Sequence, residues 1–322
     1  MPKSYGKTGL YAYKVNRPLS DAEIRDHLPQ KEPSLSAPWF QLSVIRMNST
    51  FLECVDRLYA WRGFGTAMAL GFSFIPIMIM TAPLSIIGRY STITPEKQTE
   101  MAIGGFVLFL IGLACLAFLF WMSRFECFRH THYPTRFNRK TRMVHVFRPN
   151  GKVLSVPWDK IYFTLGFQVM DYWEVVGHIL SKDGSTVLDT FPLSMRDIRN
   201  DRNPKTTLYQ HWEFVRRYME EGPENLYNQV GIILPIDKKK ETFLIGCKRV
   251  FANYGEVPIA AIFVSPVILC CVIGRWIAMR TCKIPLWPDE VEAESQIDPD
   301  DPYIRDEHHL ASWADMEKNR SA

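Results

Sequence analysis

Residues 123–147 read SRFECFRHTHYPTRFNRKTRMVHVF, and they follow an uncharged apolar run, Met101–Met122, with the sequence MAIGGFVLFLIGLACLAFLFWM. A bilayer core accommodates roughly 20 apolar residues in helical form, because every backbone group must then be bonded within the segment. The run meets that length and ends on Trp121, whose ring favours a membrane–water boundary. A second block, Gly63–Gly88, is similarly apolar and carries Pro76 and Pro83, which a membrane helix tolerates with a bend near Pro76. Only RYSTITPEKQTE separates the two. A soluble core would have to bury every face of both runs, so the sequence predicts a transmembrane hairpin over 63–88 and 101–122.

The charges around the hairpin suggest its orientation. Arg46, Arg57 and Arg62 precede it, Arg124, Arg129, Arg136, Arg139, Lys140 and Arg142 follow it, and the connecting loop has only Arg89 and Lys97. Lys and Arg near membrane ends stay on the cytoplasmic side. Segment 1–62 and the region after Met122 are therefore expected in the cytoplasm. The first apolar block would act as the targeting signal, since the N-terminus is hydrophilic. The six residues after Met122 form the candidate site, a basic surface for anionic lipid or a partner.

Residues 123–250 read as a β-rich domain. RMVHVF, KVLSVPW, KIYFTLG, WEVVGHIL and STVLDTF are short runs of β-branched and aromatic residues, several alternating with period two. Asn150-Gly151 and Asp183-Gly184 predict tight hairpins with both central residues at positive φ. NPKTTLYQHWEFVRRYMEEG then predicts a helix with Leu208, Trp212, Val215 and Met219 on one face and Arg216 and Arg217 elsewhere. Earlier in the chain, Ser20 with Glu23 and Thr50 with Glu53 have capping-box spacing. The second pair predicts an amphipathic helix through Phe51, Val55 and Leu58, either interfacial or packed on the cytoplasmic domain.

The fold class implied is a membrane α+β protein: a helical hairpin plus an antiparallel domain closed by a helix. FNRKTRMVHVF, the turn at Asn150-Gly151, VPWDKI and the closing helix resemble the small pleckstrin-homology-like split barrels that bacterial membrane proteins place after a helical hairpin. FNRKTRMVHVFRPNGKVLSVPWDKI with CKIPLWPDEVEAE and DPDDPY is similar to a family of bacterial membrane proteins of unknown function. Its members often lie near type VI secretion and toxin genes. The resemblance implies an inner-membrane protein and supplies no catalytic residues.

A third apolar segment, 257–274, is interrupted by Pro258 and Pro266 and flanked by Lys248, Arg249, Arg275, Arg280 and Lys283, so charge does not choose its side. Either a single span or a re-entrant segment fits, the latter keeping the tail cytoplasmic and slightly preferred. The tail, 284–322, is acidic. From Asp289 onward it has eleven Asp or Glu against three Lys or Arg, about −8 with neutral histidines, in a chain of net charge +4. Such a tail is expected to be solvated and partly disordered, the alternatives being that it folds over the basic strands or is the element a basic partner binds.

Chemistry is sparsely encoded. Cys54, Cys115, Cys127, Cys247, Cys270, Cys271 and Cys282 are scattered, a pattern of reduced thiols. Cys127, His130, His132 and His145 lack the paired spacing of a zinc site, so no metal and no cofactor is expected. His178 with Asp171, Asp183 and Asp189 offers acid–base groups, but VVGHIL reads as a strand that turns the histidine outward. There is no nucleophile elbow, phosphate loop or HExxH motif, and no enzyme activity is expected. Phe125, Phe128, Tyr133 and Phe137 among the arginines could stack on bases, yet a membrane boundary selects the same residues, so nucleic acid is not expected. The sequence reading is a non-enzymatic membrane protein whose partners are the bilayer and a protein. The alternative is an immunity or accessory protein of a type VI secretion system, with a secreted effector as partner.

Overall fold

The structure is a computed structural model that describes residues 3–5, 12–84, 94–168, 172–198, 205–252 and 265–307. Arg89 of the expected external loop, Asp171, positions 257–264 of the third apolar segment and positions 308–322 of the tail lie outside the described residues. The chain divides into two compact units. The first comprises Met1–Tyr59, His132–Lys239 and Ile284–Ala322; the second comprises Ala60–Thr131 and Lys240–Lys283. The N-terminal segment and the tail, which read as separate regions in the sequence, thus share a unit with the strands.

The first unit is an antiparallel β assembly. Strands β1 (Lys3–Tyr5) and β2 (Ala12–Lys14) form a small ribbon, followed by the short helix α1 (Asp21–Arg25). Strands β3 (Val44–Met47), β4 (Phe51–Cys54), β5 (Thr135–Asn138), β6 (Met143–Phe147) and β7 (Val153–Pro157) form a five-stranded sheet in sequential order. Strands β8 (Ile161–Gln168), β9 (Tyr172–Leu180) and β10 (Val187–Ile198) form a three-stranded sheet in the order β10-β9-β8. Among the described residues no ladder joins the two sheets, so they do not form a closed barrel.

The predicted hairpins form with a different turn. Gly151 and Gly184 have φ of +80° and +73°, while Asn150 and Asp183 are not in the left-handed region. The Gly151 N–H bonds the Arg148 carbonyl and the Gly184 N–H bonds the Ser181 carbonyl. Each loop is thus an ordinary turn completed by a left-handed glycine, a longer hairpin connection than the two-residue kind. Helix α5 (Thr206–Glu220) follows β10. Its Leu208, Trp212, Val215 and Met219 are buried as their spacing predicted, in the same core as Trp158 and Phe163. The Phe163 and Trp212 rings lie 4.7 Å apart. Arg216 does not point away: it is buried, with Nε on Glu213 Oε2 at 2.8 Å.

Three other expectations are corrected. Residues 51–54 form a strand, β4, buried at all four positions, and only Tyr59–Trp61 makes a short 3₁₀ turn. The i, i+4 spacing suited a helix, but backbone pairing with β3 and β5 prevails. His178 is buried, with Nδ1 2.8 Å from Thr190 Oγ1 and Nε2 3.2 Å from Glu23 Oε1. Glu23 also completes the capping box of α1, so one carboxylate pins that helix to β9. Finally, residues 284–307 dock against the sheet, with Val291, Ser295 and Asp301 buried, although much of their acidic surface stays exposed. Lys140 Nζ meets Asp298 at 2.7 Å, Ser49 donates backbone and hydroxyl bonds to Asp301, and Met47 and Arg305 exchange backbone bonds.

The second unit is helical: α2 (Phe64–Phe72), α3 (Phe74–Thr81), α4 (Pro95–Ser123), α6 (Phe243–Ala252) and α7 (Ser265–Thr281). Two stretches, Tyr59–Thr81 and Pro95–Ser123, are long and apolar enough to cross a membrane. The first is interrupted at Ser73, three residues before Pro76, whose ring excludes the Phe72 carbonyl from helical bonding. In α4 only Gly112 is buried. A β-carbon there would fall 2.3 Å from the Met80 side chain and 2.8 Å from the Pro76 carbonyl, so the absence of a side chain sets the close α3–α4 crossing. Helix α7 crosses α2 as closely, a β-carbon on Gly274 falling 2.5 Å from the Ala67 nitrogen. Arg275, within α7, is fully buried and makes a bidentate pair with Glu241, both contacts at 2.7 Å.

Candidate functional site

The six basic residues singled out in the sequence divide between the two units. Four belong to the β unit. Arg136, on β5, pairs with His145 of β6 and is fully buried. Its Nε donates to Glu53 Oε2 at 2.8 Å and its Nη2 contacts Glu292 Oε1 at 3.1 Å, between the rings of Phe51 and Trp287. Burial, and after it the nearby Asp237, hold the Glu53 carboxyl above its usual range although Arg136 and the Trp287 indole N–H oppose them. Arg136 is a structural counter-charge and presents nothing to a lipid.

Arg142 is half-buried and clamps the last turn of α5 onto the sheet. Nε donates to Asp159 Oδ2 at 2.8 Å, Nη2 to Glu220 Oε1 at 2.7 Å, and Nη1 to the Met219 carbonyl at 3.2 Å. The Trp158 indole donates to the same Glu220 oxygen at 2.6 Å. Lys140 is exposed and carries its pair with Asp298 in water, where such a pair contributes little. Arg139 uses its backbone N–H on the Thr50 carbonyl, and its half-buried side chain makes no ion pair among the described residues.

Arg124 and Arg129 belong to the helical unit and follow the end of α4. Both are exposed, and neither makes an ion pair among the described residues. Arg129 Nε donates to the Arg124 carbonyl at 3.2 Å. Together with Trp121, Phe125, Cys127 and Phe128 they line a cavity of about 470 Å³. The nearby carboxylate, Glu126, is occupied elsewhere: it accepts the Gly65 and Thr66 N–H groups at 3.1 and 2.8 Å and the Thr66 hydroxyl at 2.9 Å, capping α2. The aromatic residues were visible in the sequence as an interface pattern; that they line an open cavity with only two of the six basic groups was not.

Among the described residues no three His, Cys, Asp or Glu side chains are gathered as a metal-holding group. Cys127 is buried against Thr66, with sulfur and hydroxyl oxygen 3.5 Å apart, and His145 bonds Ser155 through Nδ1 at 2.9 Å. His145 is pushed down to about 4, first by burial and then by Arg136.

Fold and site together define a chain of two parts, a largely antiparallel β unit and a helical unit with two helices of membrane-crossing length. The chain belongs to a family of unknown function, DUF6708, whose pattern matches residues 112–299, from the middle of α4 into the tail. No curated protein and no solved structure matches it.

Proposed function

We propose that this is an integral membrane protein without enzymatic activity, which holds a pleckstrin-homology-like β unit at the inner face of a bacterial cytoplasmic membrane for a protein partner. The supporting observation is the pairing of β4 with β5, Leu52 opposite Phe137, although the whole apolar hairpin lies between them in the chain. Strands of one sheet lie on one side of a bilayer, so the intervening segment crosses an even number of times. The same reasoning applies to residues 240–283, because the tail that follows them docks on the same sheet. A re-entrant or surface course for α6 and α7 satisfies this; a single span does not.

A protein partner fits better than lipid on the β unit. Arg136 and Arg142 are committed to internal carboxylates, and Lys140 is matched by Asp298. Strand β7 ends the five-stranded sheet with one edge unpaired among the described strands, a backbone surface that accepts an added strand.

The test combines alkaline extraction of membranes with photo-crosslinking from position Ser155 on β7. The expected result is a chain released only by detergent and a discrete crosslinked protein species. Release by alkali alone would refute the anchor. A membrane-retained chain with no crosslinked species would refute the partner reading at this edge.

A further inference from the structure

We propose that Arg124 and Arg129 hold the phosphate of an anionic membrane phospholipid in the cavity at the end of α4, a site that rests on the membrane reading above. Several independent features meet there. Of the six basic residues after the hairpin, these two share one cavity, and its volume of about 470 Å³ suits a lipid headgroup. Both guanidinium groups are exposed and without a carboxylate among the described residues, while Glu126 beside them is bound to the start of α2. Planar guanidinium forks match phosphate oxygens in a bidentate way.

The cavity wall favours a lipid over free phosphate. Trp121, Phe125 and Phe128 are exposed at 52%, 49% and 60%, and the Trp121 and Phe125 rings meet edge to face at 5.2 Å. They continue the exposed apolar surface of α4, where acyl chains would lie. Phe128 has φ of +61°, a left-handed conformation that costs a phenylalanine on the order of 1 kcal/mol, and its ring nonetheless stays exposed beside the arginines. The carbonyls that end α4 are also occupied: Trp121, Met122 and Ser123 accept backbone N–H groups from residues 124–127, and Arg124 accepts Arg129 Nε. These four carbonyls therefore add no open acceptor beside a bound phosphate.

Binding is read on the full chain in an uncharged detergent, by native mass spectrometry and thermal midpoint. The probes are phosphatidylglycerol, phosphatidylcholine of the same acyl chains, and inorganic phosphate. Phosphatidylglycerol is expected to bind preferentially and raise the midpoint. R124Q/R129Q should lose at least about tenfold in affinity, from two charge-assisted phosphate contacts, whereas K140Q should not. R129Q alone and F128A, milder changes, should each weaken the same preference if the double variant does not fold. Equal binding of the two lipids, a double variant that keeps the preference, or an equal effect of inorganic phosphate would each overturn the site. A wild-type chain that stays soluble without detergent would instead overturn the membrane reading beneath it.

Discussion

The Arg136 guanidinium lies 4.9 Å from the centre of the Trp287 ring, joining a strand that follows the apolar hairpin to a residue that opens the acidic tail. Trp287 also donates its indole N–H to Glu53 Oε1 at 3.1 Å. One tryptophan thus touches both members of a buried ion pair, and its removal opens that pair to water. We expect Trp287→Ala to cost about 2 to 3 kcal/mol, between a surface and a full core truncation, seen as a lower thermal midpoint of the detergent-solubilised chain. Glu292→Gln, at the half-exposed end of the cluster, should cost under about 1 kcal/mol. Equal effects from the two would contradict the clamp.

The tail shows why local sequence gave only part of this fold. Its acidity is evident, and acidity suggests solvation. Its partners stand about 150 positions earlier: Arg136 meets Glu292 at a separation of 156 residues and Lys140 meets Asp298 at 158. No local pattern encodes such pairings. The strands from Met143 to Phe191 were legible because alternation and glycine turns are local signals. Strand β4 was not, because Phe51, Val55 and Leu58 fit a helical stripe and place Glu53 on its opposite face. Its partner Arg136 lies 83 residues away, beyond the hairpin. The cavity at the end of α4 was half legible: its residues were in view, but the commitment of Arg136, Lys140 and Arg142 to carboxylates elsewhere depends on tertiary contacts.

Acid should destabilise the β unit before its carboxylates protonate. Burial lowers His145 and His211 from 6.5 to about 4 each. Between those values the unfolded chain binds two protons that the folded chain refuses, so stability falls as pH drops through this window. The loss is on the order of 3 kcal/mol for each fully buried imidazole. Glu23 adds to it lower down. Burial alone would raise it, but His178, Arg17 and the Ser20 backbone N–H hold it far below the usual range, so its stabilisation is present above about pH 4.5 and lost below. Thermal midpoints across pH 7 to 4 should fall steeply, and His211→Leu should flatten the slope by one proton. An unchanged slope in that variant would show that His211 titrates normally.

Arg275 and Glu241 make a double-variant test of the helical unit. Arg275→Leu alone leaves the buried Glu241 carboxylate without its bidentate partner and should cost about 3 to 5 kcal/mol. Arg275→Leu with Glu241→Leu removes both charges and should recover most of that loss. Gly63→Ala should be as damaging for a different reason. Gly63 has φ of +90°, and its β-carbon would stand 2.2 Å from Arg275 Cα. Midpoints of the three variants decide between charge and packing; a double variant as unstable as Arg275→Leu would mean that Arg275 acts by shape.

The proposed membrane reading makes a prediction about sidedness. Lys140 and Asp298 form an ion pair and β4 pairs with β5, so on that reading the region after α4, the tail and the N-terminal segment are expected on one side of the bilayer. Lys97, exposed at the start of α4, stands at the opposite end of a 29-residue helix, about 40 Å of rise at 1.5 Å per residue. That distance matches a bilayer with its headgroups. Single cysteines at Lys97, Lys140 and Asp298, in a chain lacking the native seven, are expected to separate cleanly. A membrane-impermeant maleimide added to intact cells should label position 97 and leave 140 and 298 untouched until the membrane is opened. Labelling of 298 without 140 would place the tail across the bilayer and contradict its docking on β5. Labelling of none of the three, even after the membrane is opened, would mean that the reagent does not reach these positions; labelling of all three in intact cells would end the hairpin reading.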